Sequence, residues 1–241
     1  MNPYYELYSL SLEELIHPDF LPLLQPFVDF GLGIFGAIND YSYATDSELF
    51  DDEFNEARNI LLSQIECFGT VNPVYRFPFL SSKACNLLLK YQEELNYAPN
   101  EYESYEAQMM ESILLEEAEQ LHAFMQVLYN TIICPIWMVI FGTYPNLINQ
   151  IQLTKYTPNQ ERDQCTWHYD IHSECTSIIE LNENPSQAGS MFRVFPDVTV
   201  PYPGIQGTLT LFRGVNALHR STKTINKERN IVVFWTDRTE D

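Results

Sequence analysis

From residue 149 to residue 235 the chain breaks into short apolar or alternating runs, at 149–156, 175–181, 190–195, 207–212 and 229–235. Pro185, Gly189, Pro196, Pro201, Pro203, Gly204 and Gly214 part them. Runs of that length bounded by proline and glycine read as strands. In the first, Ile151, Leu153 and Lys155 alternate with Gln150, Gln152, Thr154 and Tyr156, the period of a strand with two different faces. Many short strands following helices describe an α+β chain whose β part is a sandwich or barrel.

The helical signals lie ahead of these runs. Residues 1–50, rich in Tyr, Phe, Leu and Pro with Gly31, Gly33 and Gly36 close together, read as short helices and loops over a larger body. The acidic run Thr45–Glu53 opens a helix whose apolar stripe is Phe54, Ala57, Leu61, Ile65 and Phe68, with Gly69 as its stop. Val74–Phe79 reads as a strand, and Ser81-Ser82 caps a helix carrying Leu87, Leu88, Tyr91 and Leu95. A polar loop at 96–104 leads to a long helix from about 105 to 133, with Met110, Ile113, Leu121, Phe124, Met125 and Leu128 on one face. There Met109, Met110 and Met125 fill core, and His122 is an ordinary helix residue. Pro135 is expected to end this helix and Trp137–Phe141 to begin the strands.

Charge narrows the partners. With 33 acidic against 13 basic residues the formal charge is −20, which repels phosphate backbones and argues against nucleic acid. The acidic patches at 46–53 and 101–119 would steer a cationic substrate if they rim a cleft, or simply face water. Five widely spaced cysteines (67, 85, 134, 165, 175) without a C-x-x-C pair argue against a zinc site and a disulfide framework. No basic stretch followed by an apolar core opens the chain, and residues 18–38 are broken by Pro18, Asp19, Pro22, Gln25, Pro26 and Asp29. A cytoplasmic protein without membrane contact is therefore expected.

Within the strand region stand His168-Tyr-Asp170 and, beyond Gly207-Thr-Leu-Thr-Leu-Phe212, His219. Two histidines and a carboxylate suit a non-haem ferrous ion, because they hold the metal and leave coordination positions open for oxygen and a co-substrate. His168 and Asp170 are two apart, so an extended backbone sends both side chains to one face. His219 must arrive from a distant strand. A lone His-x-Asp is a common accident; its placement among these strands is what gives it weight.

The chain resembles the ferrous iron and 2-oxoglutarate dioxygenases, in the prolyl and lysyl hydroxylase-like branch. The resemblance spans about 70 to 241. It is carried by Phe79-Leu-Ser-Ser-Lys-Ala-Cys85, Leu153-Thr-Lys-Tyr156-Thr-Pro158, Trp167-His168-Tyr169-Asp170, Ile178-Ile-Glu-Leu-Asn182, Ala188-Gly-Ser-Met-Phe-Arg-Val-Phe195 and Gly207 to His219 and Arg229. It implies a double-stranded β-helix (jelly roll) core buttressed by N-terminal helices, with 1–70 a mainly helical extension and 71–241 the dioxygenase domain. It also implies Fe(II) on His168, Asp170 and His219, with 2-oxoglutarate and O2 as co-substrates and ascorbate as a supporting reductant. Arg229 would anchor the far carboxylate of 2-oxoglutarate, since a guanidinium pairs with carboxylate in a two-pronged, permanently charged contact.

Several positions depart from the branch or stay open. Many relatives carry tyrosine where Glu180 stands, so Tyr156 or Thr210 is expected to assist Arg229. Ala188-Gly189 replaces a Gly-Gly pair, and the presence of Asp170 disfavours the halogenating relatives, which vacate that position for chloride. His172 either meets substrate or is a solvated loop residue; Arg193 and Arg213 either line the mouth of the site or are barrel surface charges. Trp167 and Trp235 are expected to pack the barrel ends. The activity implied is hydroxylation of an amino-acid side chain, free or in a peptide or protein. Oxygenation of a small metabolite and a catalytically silent jelly-roll binding module are the alternatives.

Overall fold

The computed structural model describes residues 4–40, 52–99, 110–158, 164–194 and 198–237. Residues 46–51 and 101–109 of the two acidic runs, Met109 included, fall outside these residues. Helices come first: α1 (Tyr5–Tyr8), α2 (Leu12–Leu15), α3 (Leu21–Asp40), α4 (Asp52–Leu62) and α5 (Ser82–Gln92), with α6 (Leu114–Glu117), α7 (Glu119–Leu128) and α8 (Cys134–Phe141) further on. Strands are β1 (Glu66–Phe68), β2 (Val74–Pro78), β3 (Ala98–Pro99), β4 (Met110–Ile113), β5 (Leu147–Tyr156) and β6 (Cys175–Glu180). They continue with β7 (Asn184–Val194), β8 (Val198–Gly204), β9 (Thr208–Arg213), β10 (Leu218–Ser221) and β11 (Arg229–Asp237). Among the described residues they form an eight-stranded sheet, β1-β2-β9-β6-β11-β5-β4-β3, and a three-stranded sheet, β10-β7-β8. Every pairing is antiparallel. This is the expected jelly roll.

The large sheet separates two cores by the alternation of its strands. Ile151 and Leu153 of β5, Ile179 of β6, Leu209 and Leu211 of β9, and Val232 and Phe234 of β11 pack outward into the helices, against Phe20, Phe27, Met125 and Trp137. Burying each such side chain contributes about 1.5–3 kcal/mol. Trp137 also satisfies its indole by donating Nε1–H to Ser177 Oγ at 2.9 Å. The opposite face carries Tyr156, Ile178, Phe212, Ile231 and Val233, which close with Phe192, Val194 and Tyr202 of the small sheet into an inner cluster. Phe192 meets Phe212 edge to face at 4.9 Å.

The N-terminal helices differ from the reading of short helices and loops: α3 runs for 20 residues through Pro26 and the glycines. Gly31 explains one of them, since a Cβ there would lie 2.1 Å from the carbonyl oxygen of Pro135, so the missing side chain lets α3 cross α8 closely. The helix expected through Phe68 ends at Leu62, and Phe68 joins a hairpin opposite Val74, its ring edge to face with Tyr202.

Two further expectations are corrected. The long helix does not begin near 105: Met110–Ile113 form β4 on the edge of β5, where tertiary pairing overrides local helix preference. Nor does Pro135 end the helix, and Trp137–Phe141 are helical rather than extended. A π-helical turn at Tyr129–Ile133 joins α7 to α8. Widening the hydrogen-bond ladder just before Pro135 accommodates a residue that has no N–H and crowds the preceding turn. The continuous segment Glu119–Phe141 is long and apolar enough to cross a membrane by composition, but 67% of its most apolar window is buried, as befits a core helix.

Candidate metal centre

His168 and Asp170 lie on the segment leading into β6, and His219 on β10. An antiparallel bridge brings them together: His168 N–H donates to His219 O at 2.9 Å and His219 N–H to His168 O at 3.0 Å. Asp170 N–H donates to Gly214 O at 3.0 Å, fixing the third ligand to the loop before β10. His168 Nε2 stands 3.5 Å from Asp170 Oδ1, and His219 Nε2 stands 3.6 Å from Asp170 Oδ2. One ligand atom from each residue lies within 4.8 Å of the others, and this is the one such cluster among the described residues. Ligands about 2.1 Å from a common ion would sit roughly 3.0–3.4 Å apart, so small side-chain movements suffice to close on one.

Both rings are oriented the same way. His168 Nδ1 contacts Thr166 O at 2.8 Å and His219 Nδ1 contacts Ala217 O at 2.9 Å, each two residues back along its own chain. A carbonyl only accepts, so Nδ1 carries a hydrogen and Nε2 is the atom each ring turns toward Asp170. His219 is wedged between Phe192, stacked at 5.8 Å, and Phe212, edge-on at 4.6 Å. Thr176 on β6 donates its hydroxyl to Asp170 Oδ2 at 2.5 Å. Burial alone would raise the Asp170 pKa, but His219, His168 and the Thr176 hydroxyl hold it down at about 2. Burial would lower that of His168, yet Asp170 and Cys165 raise it to about 11, so a metal cation entering here would take the place of the proton on His168 Nε2. Burial dominates at His219 and lowers its pKa despite Asp170. The carboxylate is thus a permanent negative charge set between two imidazoles, a place that draws a cation.

Beside the triad opens a pocket lined by both sheets. Gln152, Thr154 and Tyr156 of β5 form one wall, where the alternation put polar residues on one face. Ser190, Ser221 and Arg229 form the deep end. Ser221 and Ser190 face each other in register across β10 and β7, and Arg229 lies opposite Tyr156 across β11 and β5, with its guanidinium 5.4 Å from that ring. Arg229 is 1% exposed, and its edge is taken by Glu180. Nε donates to Glu180 Oε2 at 3.0 Å and Nη2 to Glu180 Oε1, while Nη1 donates to Ser221 Oγ at 2.7 Å and Nη2 to Ser190 Oγ at 2.9 Å. Thr210 is buried on β9, two strands from β11, and takes no part in the pocket wall.

The residues left open in the sequence resolve individually. His172 is exposed in the turn after Asp170, and its carbonyl accepts from Asn149. Arg213 pairs with Glu174 at 2.8 Å and donates to Thr143, away from the pocket; Arg193 is exposed on β7. Trp167 does not pack a barrel end: it is 37% exposed, with the Arg220 guanidinium 5.0 Å over its ring. Sequence reasoning missed Thr176, Ser190, Ser221 and Gly214. A Cβ at Gly214 would come within 2.6 Å of Thr176 Oγ1 and 2.7 Å of Asp170 Cβ, so the loop approaches the ligand only because that residue is glycine.

No family model matches the sequence, and no curated protein does. Solved structures match the fold. The non-haem α-ketoglutarate-dependent carbocyclase SnoK from nogalamycin biosynthesis is 13% identical, with a TM-score of 0.53 over 68% of this chain and 79% of that one. The corresponding epimerase SnoN is 14% identical, with a TM-score of 0.53 over 67% and 78%. A Pseudomonas putida prolyl-4-hydroxylase is 16% identical, with a TM-score of 0.49 over 70% and 94%.

Proposed function

We propose that the chain is a ferrous-iron-dependent oxygenase that consumes 2-oxoglutarate and O2 to hydroxylate a C–H bond of an amino-acid side chain, free or within a peptide or protein. The observation that carries this reading is the matched orientation of His168 and His219. Both Nδ1–H groups are tied to backbone carbonyls, so two Nε2 atoms and an ionised carboxylate converge on one point. That donor set fits a ferrous ion with open positions. With Fe(II) bound, such a centre supplies the oxidising power to place one atom of O2 in a C–H bond and the other in succinate, with loss of CO2.

The chain's own residues would do the positioning. Thr176 holds Asp170 against rotation, and Phe192 and Phe212 hold His219 and exclude water behind it. Ile178, Ile231 and Val233 provide an apolar wall, which suits chemistry that water would quench. At the deep end Ser190, Ser221, Tyr156 and the Nη1 edge of Arg229 are the polar groups a far carboxylate would meet. Asp170 fills the position that a halogenating site leaves to chloride, which supports hydroxylation.

A second reading, oxygenation of a small metabolite, is favoured by the two fold neighbours named as a carbocyclase and an epimerase. A silent binding module would hold metal without turnover. Succinate release by the Fe(II)-loaded protein, with and without candidate substrates, separates these. Turnover lost in His168→Ala, Asp170→Ala and His219→Ala is the expected result; near-normal turnover in any of the three would refute the assignment. Mass spectrometry of products, amino-acid or metabolite, decides the substrate class.

A further inference from the structure

We infer that Glu180 makes the site nearly indifferent to the far carboxylate of its co-substrate, so that a 2-oxo acid with an uncharged tail is held about as well as 2-oxoglutarate. This rests on the metal-dependent reading above and concerns selection at that same site.

A guanidinium has five N–H donors and grips a carboxylate best with two parallel ones. In Arg229 the Nε hydrogen and one Nη2 hydrogen go to the two oxygens of Glu180, the second Nη2 hydrogen to Ser190 and one Nη1 hydrogen to Ser221. One Nη1 hydrogen is left, which cannot form a fork. The pair is buried, 1% and 5% exposed at the side chains, and neutral as a unit. A carboxylate entering the pocket would shed its water and meet a compensated cation, with the charge of Glu180 close behind it. The Ser190 hydroxyl still offers an O–H donor, while that of Ser221 is directed to Thr222 O at 3.5 Å; bonds from neutral hydroxyls are weaker than those from a free guanidinium fork. Gain and desolvation cost therefore roughly cancel, and the tail's charge decides little.

Arg76 on β2 is a second cation whose charge interacts with Glu180. It is committed elsewhere, donating to Pro203 O at 2.6 Å and lying 5.2 Å from the Tyr202 ring, and it does not line the pocket. If Glu180 turned toward Arg76 when a dicarboxylate arrived, Arg229 would be released and the site would strongly prefer 2-oxoglutarate. That alternative gives the opposite result in the same measurement.

The test is calorimetric titration of the manganese(II)-loaded full chain with 2-oxoglutarate and with 2-oxopentanoate, which has the same chain length and a methyl in place of the far carboxylate. Manganese binding is measured first, in the protein alone. Wild type should bind the two acids within about threefold of each other, and Glu180→Gln should shift the ratio toward 2-oxoglutarate by about ten- to hundredfold, the worth of a charge-assisted contact. A wild-type preference for 2-oxoglutarate of about tenfold or more, or a ratio unchanged in a folded Glu180→Gln, overturns the inference. The wild-type comparison decides by itself should the variant not fold. Failure of manganese to bind at all would instead overturn the metal reading beneath it.

Discussion

Alanine in place of Gly31 should destabilise the protein, whereas the same change at Gly33, on the same helix, should stabilise it. Both residues lie within α3, Gly31 buried and Gly33 exposed. A Cβ at position 31 would stand 2.1 Å from Pro135 O, 2.7 Å from its carbonyl carbon and 2.9 Å from its Cα, while at position 33 nothing lies within 4 Å. Real Cβ contacts essentially never fall under 3.0 Å, so α3 and α8 would have to part by close to 1 Å, the difference between 3.0 and 2.1. The obstacle is backbone, which has no rotamer to yield. Each substitution gains about 1 kcal/mol of helix preference. At Gly31 that gain opposes an overpacking cost of about 1–3 kcal/mol, with loosening of the contacts around buried Trp137 added to it. The two variants should therefore differ by about 2–3 kcal/mol with opposite signs relative to wild type, a gap of about 4–12 °C in Tm for a chain of this size. Thermal and urea unfolding followed by circular dichroism measure it. Equal midpoints for the two variants would mean that the crossing of α3 over α8 yields freely and the argument from close approach fails.

Three other perturbations test the site and its surroundings. Thr176→Val, nearly isosteric, removes the hydroxyl on Asp170 Oδ2 and should weaken metal binding by about 10- to 100-fold in chelator competition; an affinity within twofold of wild type would leave Thr176 without a role. Gly214→Ala should abolish metal binding while far-ultraviolet circular dichroism stays native, because its Cβ would press on Thr176 and Asp170; retained binding would show the loop can retreat. Cys67 is exposed and should alkylate first, whereas burial pushes the thiols of Cys85 and Cys134 up from 9.0 to about 12 and keeps them inert until unfolding. Between those pH values the unfolded chain has lost protons that the folded one retains, so stability should fall as pH rises from 9 toward 12. A urea midpoint that is flat across that window would contradict it.

What the sequence disclosed follows from which signals are local. Strands β5, β6, β7, β9 and β11 were legible because proline and glycine part them, and the period of two placed His168 beside Asp170. Strands β8 and β10 were not, since Pro201, Pro203 and Gly204, read as breaks, lie within β8. The helix expected at 105–133 failed because the pairing of Met110–Ile113 with β5 is decided by a strand some forty residues away. Pro135 misled because a π-helical turn, which has no local signature, absorbs it. Around the site, Glu180 stood out as a departure, but its pairing with Arg229 needed the register of β6 against β11 to appear. Thr176 and Gly214 act through contacts between segments, invisible to any reading along one chain.

For protein engineering, the two-faced strands of the large sheet amount to a division of labour by residue parity. On β5 the odd positions Ile151 and Leu153 face the helices, and the even positions Gln152, Thr154 and Tyr156 face the pocket. A combinatorial library restricted to the even positions, with Ile178 and Val233 added from the neighbouring strands, would vary the cavity's shape and polarity while leaving the helix-side packing untouched. Folded yield in such a library should stay close to the parent's while ligand preference spreads. The complementary library at the odd positions should do the reverse, losing folded protein before it gains a single new specificity.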